Sequence, residues 1–580
     1  MATEIETITA LQSPVITLGQ PSSRDSYDGP ASTIPLASTT GVDPSLSDES
    51  PTDRKPSAAS IALIMLPLCL STLLSALDIT IVGSLGSVAG YTWIGSAFIL
   101  ASTATTPLWG TIADIWGRKP VILAAIALFL GGSLLCALSP HMDALIAGRV
   151  VQGLGSAGMG TMVNIIICDS FSVRDRGLYI GITSLAHALG SAIGPLVGGA
   201  LTDKADSNSS SSFKLEMVFF GSTVSGTVFV VLLFFLKVAN PGTPIVAGLK
   251  KIDWIGGSLI VGSVLMVLLA LDFGDVVFPW SSATIICLMA FGVICGALFV
   301  VNEWKFAKEP IIPLHLFSRK FPVAAYGVYV FNFYVFIGML YYLPLYSQAV
   351  LGANALYSGI YIIPLIVASS LAAAFVGFSI QKTGRYLGIM CTGQLLSILG
   401  VGLLVYLPFE KSLARLFNFE ILIGVGCGMN IEPPLIAVQA VNSERDSAAV
   451  VSSMNFARSI AIAISIVVGG VIFQNEMTAA NPGLVAQIGA ELGQQFNGDQ
   501  ASAKVEAINK LPDQQQGAVR QAYFYSLRDV WIMYVAFAGL SLLLNVFVLP
   551  HHLSTENKGA VLGADREKTT ETDDNMELRQ

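Results

Sequence analysis

Long apolar segments separated by short polar turns constrain this chain more than any other feature of its sequence. Fourteen segments are long enough to cross the hydrocarbon core of a bilayer as helices. Their approximate limits are 59–83, 91–112, 121–138, 144–167, 178–202, 216–236, 253–272, 282–302, 322–346, 357–378, 386–406, 413–438, 447–473 and 526–549. Only 12% of the residues are charged, about half the fraction of an average soluble domain. The sequence therefore predicts an all-α membrane protein with 14 transmembrane helices.

The distribution of basic residues predicts the orientation of these helices. If the amino terminus is cytoplasmic, the short outer loops hold only Lys204, Lys214 and Lys411. The short inner loops then hold Arg118, Lys119, Arg174, Arg176, Lys237, Lys250, Lys251, Lys305, Lys308, Arg319, Lys320, Lys382, Arg385 and Arg445. Cytoplasmic loops carry the excess of Lys and Arg, so both termini are expected in the cytoplasm. The sequon at Asn208 then lies in an outer loop and is a candidate glycosylation site.

A short charged motif joins the second and third apolar segments. From Gly110 to Lys119 it places one acid, two bases and two glycines in a tight turn, where the glycines let helix ends approach closely. The same spacing recurs far downstream, in weaker form. The recurring residues are Gly377, Gln381, Gly384 and Arg385. A repeated signature of this kind predicts a transporter built from two related halves.

The first copy resembles the loop signature of the major facilitator superfamily, G-x-x-x-D-x-x-G-R-[KR]. The matching residues are Gly110, Asp114, Gly117, Arg118 and Lys119. The resemblance implies that helices 1–6 correspond to helices 9–14 and that helices 7 and 8 are inserted, as in the fourteen-helix drug:proton antiporter branch. It also implies that Asp114 and Arg118 form a latch favouring the outward-facing state. The alternative is a solvated turn that only sets topology, and both can hold at once.

The expected domains follow from the major facilitator fold, two six-helix bundles plus two inserted central helices. They are a disordered cytoplasmic tail (1–56), an amino-terminal bundle (57–240), the inserted helices with their linker (241–320), a carboxyl-terminal bundle (321–550) with a long outer loop (474–525), and a second cytoplasmic tail (551–580). The first tail is rich in Ser, Thr, Pro and acids and lacks an apolar run, so it cannot bury a core.

Two charged residues inside predicted spans are candidates for proton coupling. Asp78 lies in Leu77-Asp78-Ile79-Thr80-Ile81-Val82, which resembles the L-D-x-T-I-V signature of the same branch. Arg149 begins a run that matches the family motif R-x-x-Q-G-x-G and that includes Gln152, a candidate for the substrate cavity. A charge inside a span costs roughly 2.5–3.5 kcal/mol on insertion scales, so we expect these two residues to face each other. The alternatives are an acid that caps the outer helix end and a purely structural ion pair.

The fifth helix resembles the antiporter signature G-x-x-x-G-P-x-x-G-G. The matching residues are Gly190, Gly194, Pro195, Gly198 and Gly199. Glycines four residues apart let a neighbouring helix pack closely, and the proline bends the span. Within the family this element distinguishes exporters from importers. The alternative is ordinary packing of small residues.

Three further polar residues lie inside predicted spans. Glu432 precedes paired prolines that break helix 12, where it becomes a third candidate for proton coupling or an interfacial charge. Arg458 in helix 13 lies near mid-membrane and is expected to pair with a carboxylate or an anionic substrate. His187 in helix 5 is either a residue of the substrate cavity or a packed, hydrogen-bonded histidine.

Helix 9 carries a dense set of aromatic and polar residues. Asn332, Tyr334 and Tyr341 are the candidates there for the substrate cavity. Aromatic side chains suit a large, apolar, partly planar ligand, and they suit lipid contact and helix packing equally.

Several classes of protein are excluded by missing patterns. The chain has no G-x-x-x-x-G-K-[ST], so ATP is not the fuel, and no G-x-S-x-G or H-E-x-x-H, so an enzyme is not expected. Its 7 cysteines are scattered through apolar runs without a C-x-x-C pair, so neither a metal nor another cofactor is expected. The absence of a basic stripe argues against nucleic acid as a partner.

These patterns predict a multi-pass membrane protein, and the resemblance to the drug:proton antiporter branch implies a proton-driven antiporter that exports hydrophobic small molecules such as fungal secondary metabolites, mycotoxins or drugs. Its partners are the substrate, protons and the lipid bilayer. The plasma membrane is the expected location and the vacuolar membrane the alternative. The alternative functions are a siderophore or amino-acid transporter of a related fourteen-helix family and a membrane sensor that does not transport. The glycine and proline element of helix 5 argues against import, and Asp78 with Arg149 argues against a sensor.

Overall fold

A computed structural model describes residues 58–83, 92–139, 141–205, 243–274, 278–318, 320–409, 412–443, 446–553 and 555 of the chain. All of them belong to one unit, Ser57–Gln580. Within these ranges the regular secondary structure is helical, apart from an isolated bridge between Gly274 and Phe278. Ten helical segments of the described part are long and apolar enough to cross a membrane, by length and composition. The predicted all-α membrane fold is confirmed.

The amino-terminal bundle contains five described helices. They are α1 (Ala58–Gly83), α2 (Thr92–Trp116), α3 (Arg118–Leu138), α4 (Met142–Ser170) and α5 (Val173–Ala205). In this bundle α1 packs on α5, while α4 packs on both α2 and α3. The predicted sixth helix at 216–236 and the sequon at Asn208 lie outside the described residues.

The inserted helices follow a short helix, α6 (Ile245–Lys251). They are α7 (Trp254–Phe273) and α8 (Ala283–Lys305), which pack on each other. Helix α7 also packs on α2 and on a helix of the carboxyl-terminal bundle, α15 (Ser447–Ile488). Apolar side chains form this contact, among them Leu100 of α2, Val264 of α7 and Phe456 of α15. At one end of α7, Ser96 Oγ donates a hydrogen bond to Asp272 Oδ1 at 3.0 Å.

The carboxyl-terminal bundle begins after a 3₁₀ turn at Leu314–Phe317. Besides α15, its helices are α9 (Lys320–Ala349), α10 (Ala355–Tyr361), α11 (Ile363–Thr383), α12 (Leu387–Val405), α13 (Leu413–Gly428), α14 (Pro433–Val441), α16 (Ala490–Gln495), α17 (Gly498–Ala503), α18 (Val505–Ile508) and α19 (Asp513–Asn545). The predicted break in helix 12 is confirmed. Helix α13 ends at Gly428 and α14 starts at Pro433, because neither proline has a backbone N–H for the preceding turn.

The segment expected as a long outer loop, 474–525, is largely helical. Helix α15 continues to Ile488 and α19 starts at Asp513, with the three short helices α16–α18 between them. These short helices bury apolar side chains such as Ala501 and Ile508. The sequence interpretation missed them because the segment is polar and fails the length test for a span, although one buried face is enough to hold a short helix.

The two bundles repeat one pattern of close glycine contacts. Gly153 of α4 lies against Phe98 and Ala101 of α2, and Gly424 of α13 lies against Leu365 and Ala368 of α11. A second glycine in each bundle contacts the equivalent neighbouring helix. Gly155 of α4 lies against Phe129 of α3, and Gly426 of α13 lies against Ser397 of α12. The residues of α2 and α11 in these contacts are separated by the same number of positions as Gly110 and Gly377. The repeat predicted from the two loop motifs therefore extends through the packing of three helices in each bundle.

Candidate functional site

The two bundles meet along helix pairs α5–α11 and α2–α15. The turns that carry the two loop motifs lie at one end of these pairs. We call this the inner end, because the distribution of basic residues predicts that it faces the cytoplasm, and the opposite end the outer end. The hydrogen bonds between the bundles that the structure describes lie at the inner end or in the adjoining half of the helices. The described conformation is therefore closed at its inner end.

Glycine allows the closest approach in both helix pairs. A Cβ atom added to Gly377 of α11 would overlap the backbone carbonyl oxygen of Gly177 in α5. A Cβ atom added to Gly110 of α2 would lie 2.6 Å from Ser452 Oγ in α15. Gly110 and Gly377 are the first residues of the two loop motifs, so both copies place a side-chain-free surface where the other bundle packs.

The first loop motif forms a buried charge cluster within the amino-terminal bundle. Arg118 is 2% exposed, and its Nη1 donates to Asp114 Oδ1 at 2.8 Å. Its Nε donates to Asp169 Oδ2 at 2.6 Å, at the end of α4. Gly117, with φ of 90°, makes the turn that brings the guanidinium back over α2. The arginine therefore ties the ends of α2 and α4 together, and Asp169 is a partner that the motif did not reveal.

The second loop motif reaches across to the amino-terminal bundle. Arg174 donates to the backbone oxygens of Gln381 and Lys382, at 2.7 and 2.6 Å from its Nε and Nη2. Gln381 Nε2 in turn donates to Asp175 Oδ1 at 2.9 Å. A cation at the carboxyl end of α11 is favourable because the last carbonyls of a helix carry partial negative charge. Gln381, which stands where the first copy has its acid, is thus part of an inter-bundle contact.

A third contact between the bundles involves Arg176, two residues further along α5 than Arg174. Arg176 is buried, and its Nη1 donates to Gln439 Oε1 of α14 at 3.2 Å. Gln439 Nε2 donates to the thiol sulfur of Cys168 at 3.0 Å. The charge of Arg176 is further satisfied by the carbonyl oxygen of Phe171 at 3.0 Å from its Nε. The four consecutive residues Arg174, Asp175, Arg176 and Gly177 therefore all contribute to the closed inner end.

Glu432 lies at the helix break in the carboxyl-terminal bundle and contacts the other bundle. Its Oε1 accepts a hydrogen bond from Ser184 Oγ of α5 at 2.9 Å. The side chain is 1% exposed, and Oε2 has no hydrogen-bond partner among the described residues. This position favours the neutral form of the carboxyl group over the ionised form. A buried carboxylate needs several hydrogen bonds or an ion pair to offset its lost hydration.

Arg458 and His187 lie near this carboxyl group. Arg458 of α15 attracts Glu432 electrostatically, and its guanidinium carbon lies 5.1 Å from the ring centroid of Phe333. It also acts electrostatically on His187 of α5. His187 is exposed to solvent although it lies deep inside the molecule, which is the situation of a residue lining an internal cavity. The structure thus brings together three of the residues predicted separately from the sequence.

Arg149 and Gln152 form their own polar group in the amino-terminal bundle. Arg149 Nη1 donates to Gln152 Oε1 at 2.6 Å, and Gln152 Nε2 donates to Ser133 Oγ at 3.0 Å. The guanidinium carbon of Arg149 lies 4.4 Å from the ring centroid of Phe98, in cation–π range. Both side chains are buried.

The candidates in α9 lie in different surroundings. Asn332 is buried and donates to the backbone oxygen of Cys427 at 3.1 Å. Tyr334 is buried and stacks obliquely on Phe537, with ring centroids 4.4 Å apart. Tyr341 is 54% exposed while lying in the interior, so it alone of the three is available to a ligand. Asn332 and Tyr334 hold α9 to its neighbours.

Some predicted site residues lie beyond the described side chains. Asp78 is in α1, but only its backbone is described, so the predicted pairing with Arg149 stays a prediction. The same holds for Gly194, Pro195, Gly198 and Gly199 of α5. Gly190 is described, and a Cβ atom there would meet the carbonyl oxygen of Leu73 and the side chain of Ala76 in α1. Within the described ranges, no group of three or more metal-ligating side chains occurs.

Sequence reasoning missed Glu420 of α13. This residue is fully buried, and neither carboxyl oxygen has a hydrogen-bond partner among the described residues. The signal was present in the repeat. Glu420 precedes Gly424 and Gly426 by the same intervals at which Arg149 precedes Gly153 and Gly155. Extending the loop repeat to helices 4 and 12 would have identified it.

Comparisons with known proteins agree with this architecture. The family model of the Major Facilitator Superfamily matches residues 59–466. Efflux pump dotC of Dothistroma septosporum is 42% identical over 533 residues, which cover 90% of each chain. The MFS-type transporter ppz2 of Metarhizium majus is 38% identical over 88% of each chain. Efflux pump FUS6 of Gibberella moniliformis is 30% identical and covers 88% of this chain and 92% of that one.

Solved structures show the same fold at low sequence identity. The proton:xylose symporter XylE aligns with a TM-score of 0.53 and 15% identity, over 86% of this chain and 98% of that one. A bacterial homologue of the lysosomal transporter Spinster, in an inward-facing and unoccupied conformation, aligns with a TM-score of 0.52 and 16% identity, over 85% and 98% of the two chains. These likenesses concern the arrangement of helices.

Proposed function

Since the chain belongs to the Major Facilitator Superfamily and is a multi-pass membrane transporter, we propose that it is a proton-coupled exporter of hydrophobic small molecules. Export is the direction named for two of its relatives, dotC and FUS6, both called efflux pumps. The glycine and proline element of α5 supports the same direction by its resemblance to the antiporter signature. We propose that both termini face the cytoplasm, on the distribution of the basic residues. The plasma membrane is the proposed location, because export from the cell takes place there.

The hydrogen bond between Ser184 and Glu432 carries the proposal of proton coupling. It joins the two bundles, and it lies where they must separate for the inner end to open. With one hydrogen bond and one unpartnered oxygen, Glu432 is accommodated in the closed state as the neutral acid. Separation of the bundles exposes the carboxyl group to water, which stabilises its ionised form. Opening of the inner end therefore favours release of a proton from Glu432.

This sequence of events fits an antiporter. Glu432 takes up its proton while the transporter is open to the outer side and loses it after the inner end opens. Arg458, which attracts the ionised form, promotes the loss. Each elementary charge that crosses a membrane potential of 100 mV supplies about 2.3 kcal/mol for the uphill movement of substrate. Asp78 and Arg149 are retained as the corresponding candidates in the amino-terminal bundle.

The side chains that line the interior support the proposed substrate class. His187 and Tyr341 are exposed there, and Phe333 lies beside Arg458. Aromatic surface with a few polar groups binds apolar molecules of mixed shape, and it selects more by fit than by charge. Fungal secondary metabolites, mycotoxins and drugs belong to this class.

The test is transport into proteoliposomes under an imposed pH gradient, with a fluorescent amphipath such as Nile red as the probe. Glu432→Gln and Asp78→Asn are compared with the wild type, and Ser184→Ala serves as the matched control that removes the hydrogen bond but keeps the carboxyl group. We expect gradient-driven accumulation in the wild type, its loss in Glu432→Gln, and reduced but gradient-dependent accumulation in Ser184→Ala.

Each alternative result has a definite meaning. Gradient-driven accumulation by Glu432→Gln at the wild-type level would remove Glu432 from the coupling mechanism, and loss in Asp78→Asn alone would place coupling in the amino-terminal bundle. If the wild type accumulates the same amount of dye with and without the pH gradient, proton coupling is contradicted.

A further inference from the structure

Glu420 is the most isolated carboxyl group that the structure describes within a predicted span. It lies in α13, about 10 Å along the helix from Leu413 at the outer end. Its exposure is 0%, and both carboxyl oxygens lack a hydrogen-bond partner among the described residues. No sequence motif pointed to it, and the mechanism proposed above does not use it.

The repeat gives this residue a defined place in the fold. Gly424 and Gly426 seat α13 on α11 and α12 just as Gly153 and Gly155 seat α4 on α2 and α3. Glu420 therefore occupies in the carboxyl-terminal bundle the position that Arg149 occupies in the amino-terminal bundle. One position is filled by a permanent cation with partners, and the other by an ionisable acid without partners.

The helices packed on α13 offer Glu420 no counter-charge. These helices are α9, α11 and α12, and their charged residues, Lys320 and Lys382, lie at the inner ends. Arg415 of α13 itself is exposed. The remaining titratable side chains of these helices and of the adjoining α10 and α13 are Tyr326, Tyr329, Tyr334, Tyr341, Tyr342, Tyr346, Tyr357, Tyr361, Cys391 and Cys427. All of these are uncharged in their ordinary state at neutral pH.

The physical consequence is that the described conformation holds Glu420 as a neutral acid. A carboxylate with no hydrogen bond and no cation in an apolar bundle would lose its hydration without compensation. A neutral carboxyl group loses far less, so the conformation itself selects the protonated form. A change of conformation that admits water from the outer side removes this selection.

We propose that Glu420 is a second proton-binding site, which is filled from the outer side and gives up its proton when α13 moves during the transport cycle. The proposal rests on the proposed function, because it adds one proton to the exchange for substrate. It assigns each bundle one polar position at equivalent depth: Arg149, whose charge is fixed, and Glu420, whose charge changes. Binding and release involve one proton and one carboxyl oxygen, and no other bond changes.

The first measurement detects the proton directly and needs no substrate. Infrared difference spectra between low and high pH are recorded for reconstituted wild type and Glu420→Gln. We expect a band of a protonated carboxyl group that disappears from the wild type as the pH rises and is missing from Glu420→Gln. Glu303→Gln is the matched control, since Glu303 is a buried acid of α8 that accepts a hydrogen bond from the backbone N–H of Ile311 at 3.2 Å. Its spectrum should keep the Glu420 band.

The second measurement tests whether this proton takes part in transport. Glu420→Gln should lose pH-gradient-driven accumulation of Nile red, while exchange of the dye across the membrane without a gradient is kept. A normal thermal unfolding profile is expected, because glutamine has the shape of the neutral acid.

Two results would overturn the proposal. Identical infrared spectra for the wild type and Glu420→Gln would show that Glu420 does not bind an exchangeable proton. Unchanged gradient-driven accumulation would show that its proton is static. If the wild type itself fails to accumulate the dye, the proposed function fails, and the infrared spectra still decide whether Glu420 binds a proton.

Discussion

Replacement of Arg118 with Gln is expected to lower the stability of the amino-terminal bundle by about 3–5 kcal/mol, the usual cost of removing one partner from a buried ion pair. The guanidinium satisfies Asp114 and Asp169 at once, and all three side chains are nearly or fully buried. Without it, Asp169 loses its ion-pair partner at a site where its side chain is only 5% exposed, and an unpaired carboxylate there is costly. The side-chain link between the ends of α2 and α4 is lost at the same time.

The measurement is thermal unfolding of the purified protein in detergent, followed by the fluorescence of a thiol-reactive dye. Arg385→Gln is the matched control, since Arg385 occupies the equivalent position of the second loop motif and is exposed. The control should unfold at the wild-type temperature. Equal unfolding temperatures for Arg118→Gln and Arg385→Gln would show that the buried cluster adds nothing to stability and that the first motif acts only on topology.

Replacement of Gly377 with Ala is expected to prevent closure of the inner end. The added methyl group would overlap the backbone of Gly177, and a backbone atom cannot move aside as a flexible side chain can. Overpacking of this kind costs about 1–3 kcal/mol. A cost of that size lowers the equilibrium ratio of closed to open molecules by about 5- to 150-fold. Transport should fall, because each cycle passes through the closed state.

The conformational change is measured with spin labels at Lys119→Cys and Arg385→Cys, on opposite bundles, in a background without other cysteines. Gly377→Ala should shift the distance distribution between the labels toward longer values. Gly388→Ala is the control, because a Cβ atom at Gly388 of α12 has no neighbouring atom within 4 Å. A distribution for Gly377→Ala that matches the control would mean that the α5–α11 contact does not limit closure.

Sequence patterns were sufficient for the features that depend on local chemistry. Apolar length located the helices, and paired prolines located the break before Pro433, because both effects act within a few residues. The loop motifs predicted two related halves, and the positive φ angles of Gly117 and Gly384 agree with equivalent turns in both copies. The major facilitator fold itself was predicted from the resemblance of the first loop motif to the family signature.

The contacts between distant segments could not be predicted in this way. Asp169 meets Arg118, and Ser184 meets Glu432, because the packing of whole helices brings them together. The choice of Gln381 instead of an acid looked like a weakened motif, yet its amide binds Asp175 of the other bundle, where a second carboxylate would repel. The short helices between α15 and α19 were missed because polar residues on their outer faces conceal one buried face.

We expect α15 to slide along the inserted helix α7 during transport, because the surface between them is apolar. It is built from aliphatic and aromatic side chains such as Val264 and Phe456, which gain nearly the same contact energy over a range of positions because dispersion has no preferred direction. On its other side α7 is tied to α2 by the directional bond between Ser96 and Asp272. We expect the inserted pair to travel with the amino-terminal bundle while α15 glides over it. We expect α7 to cover the contact between α2 and α15 throughout the transport cycle.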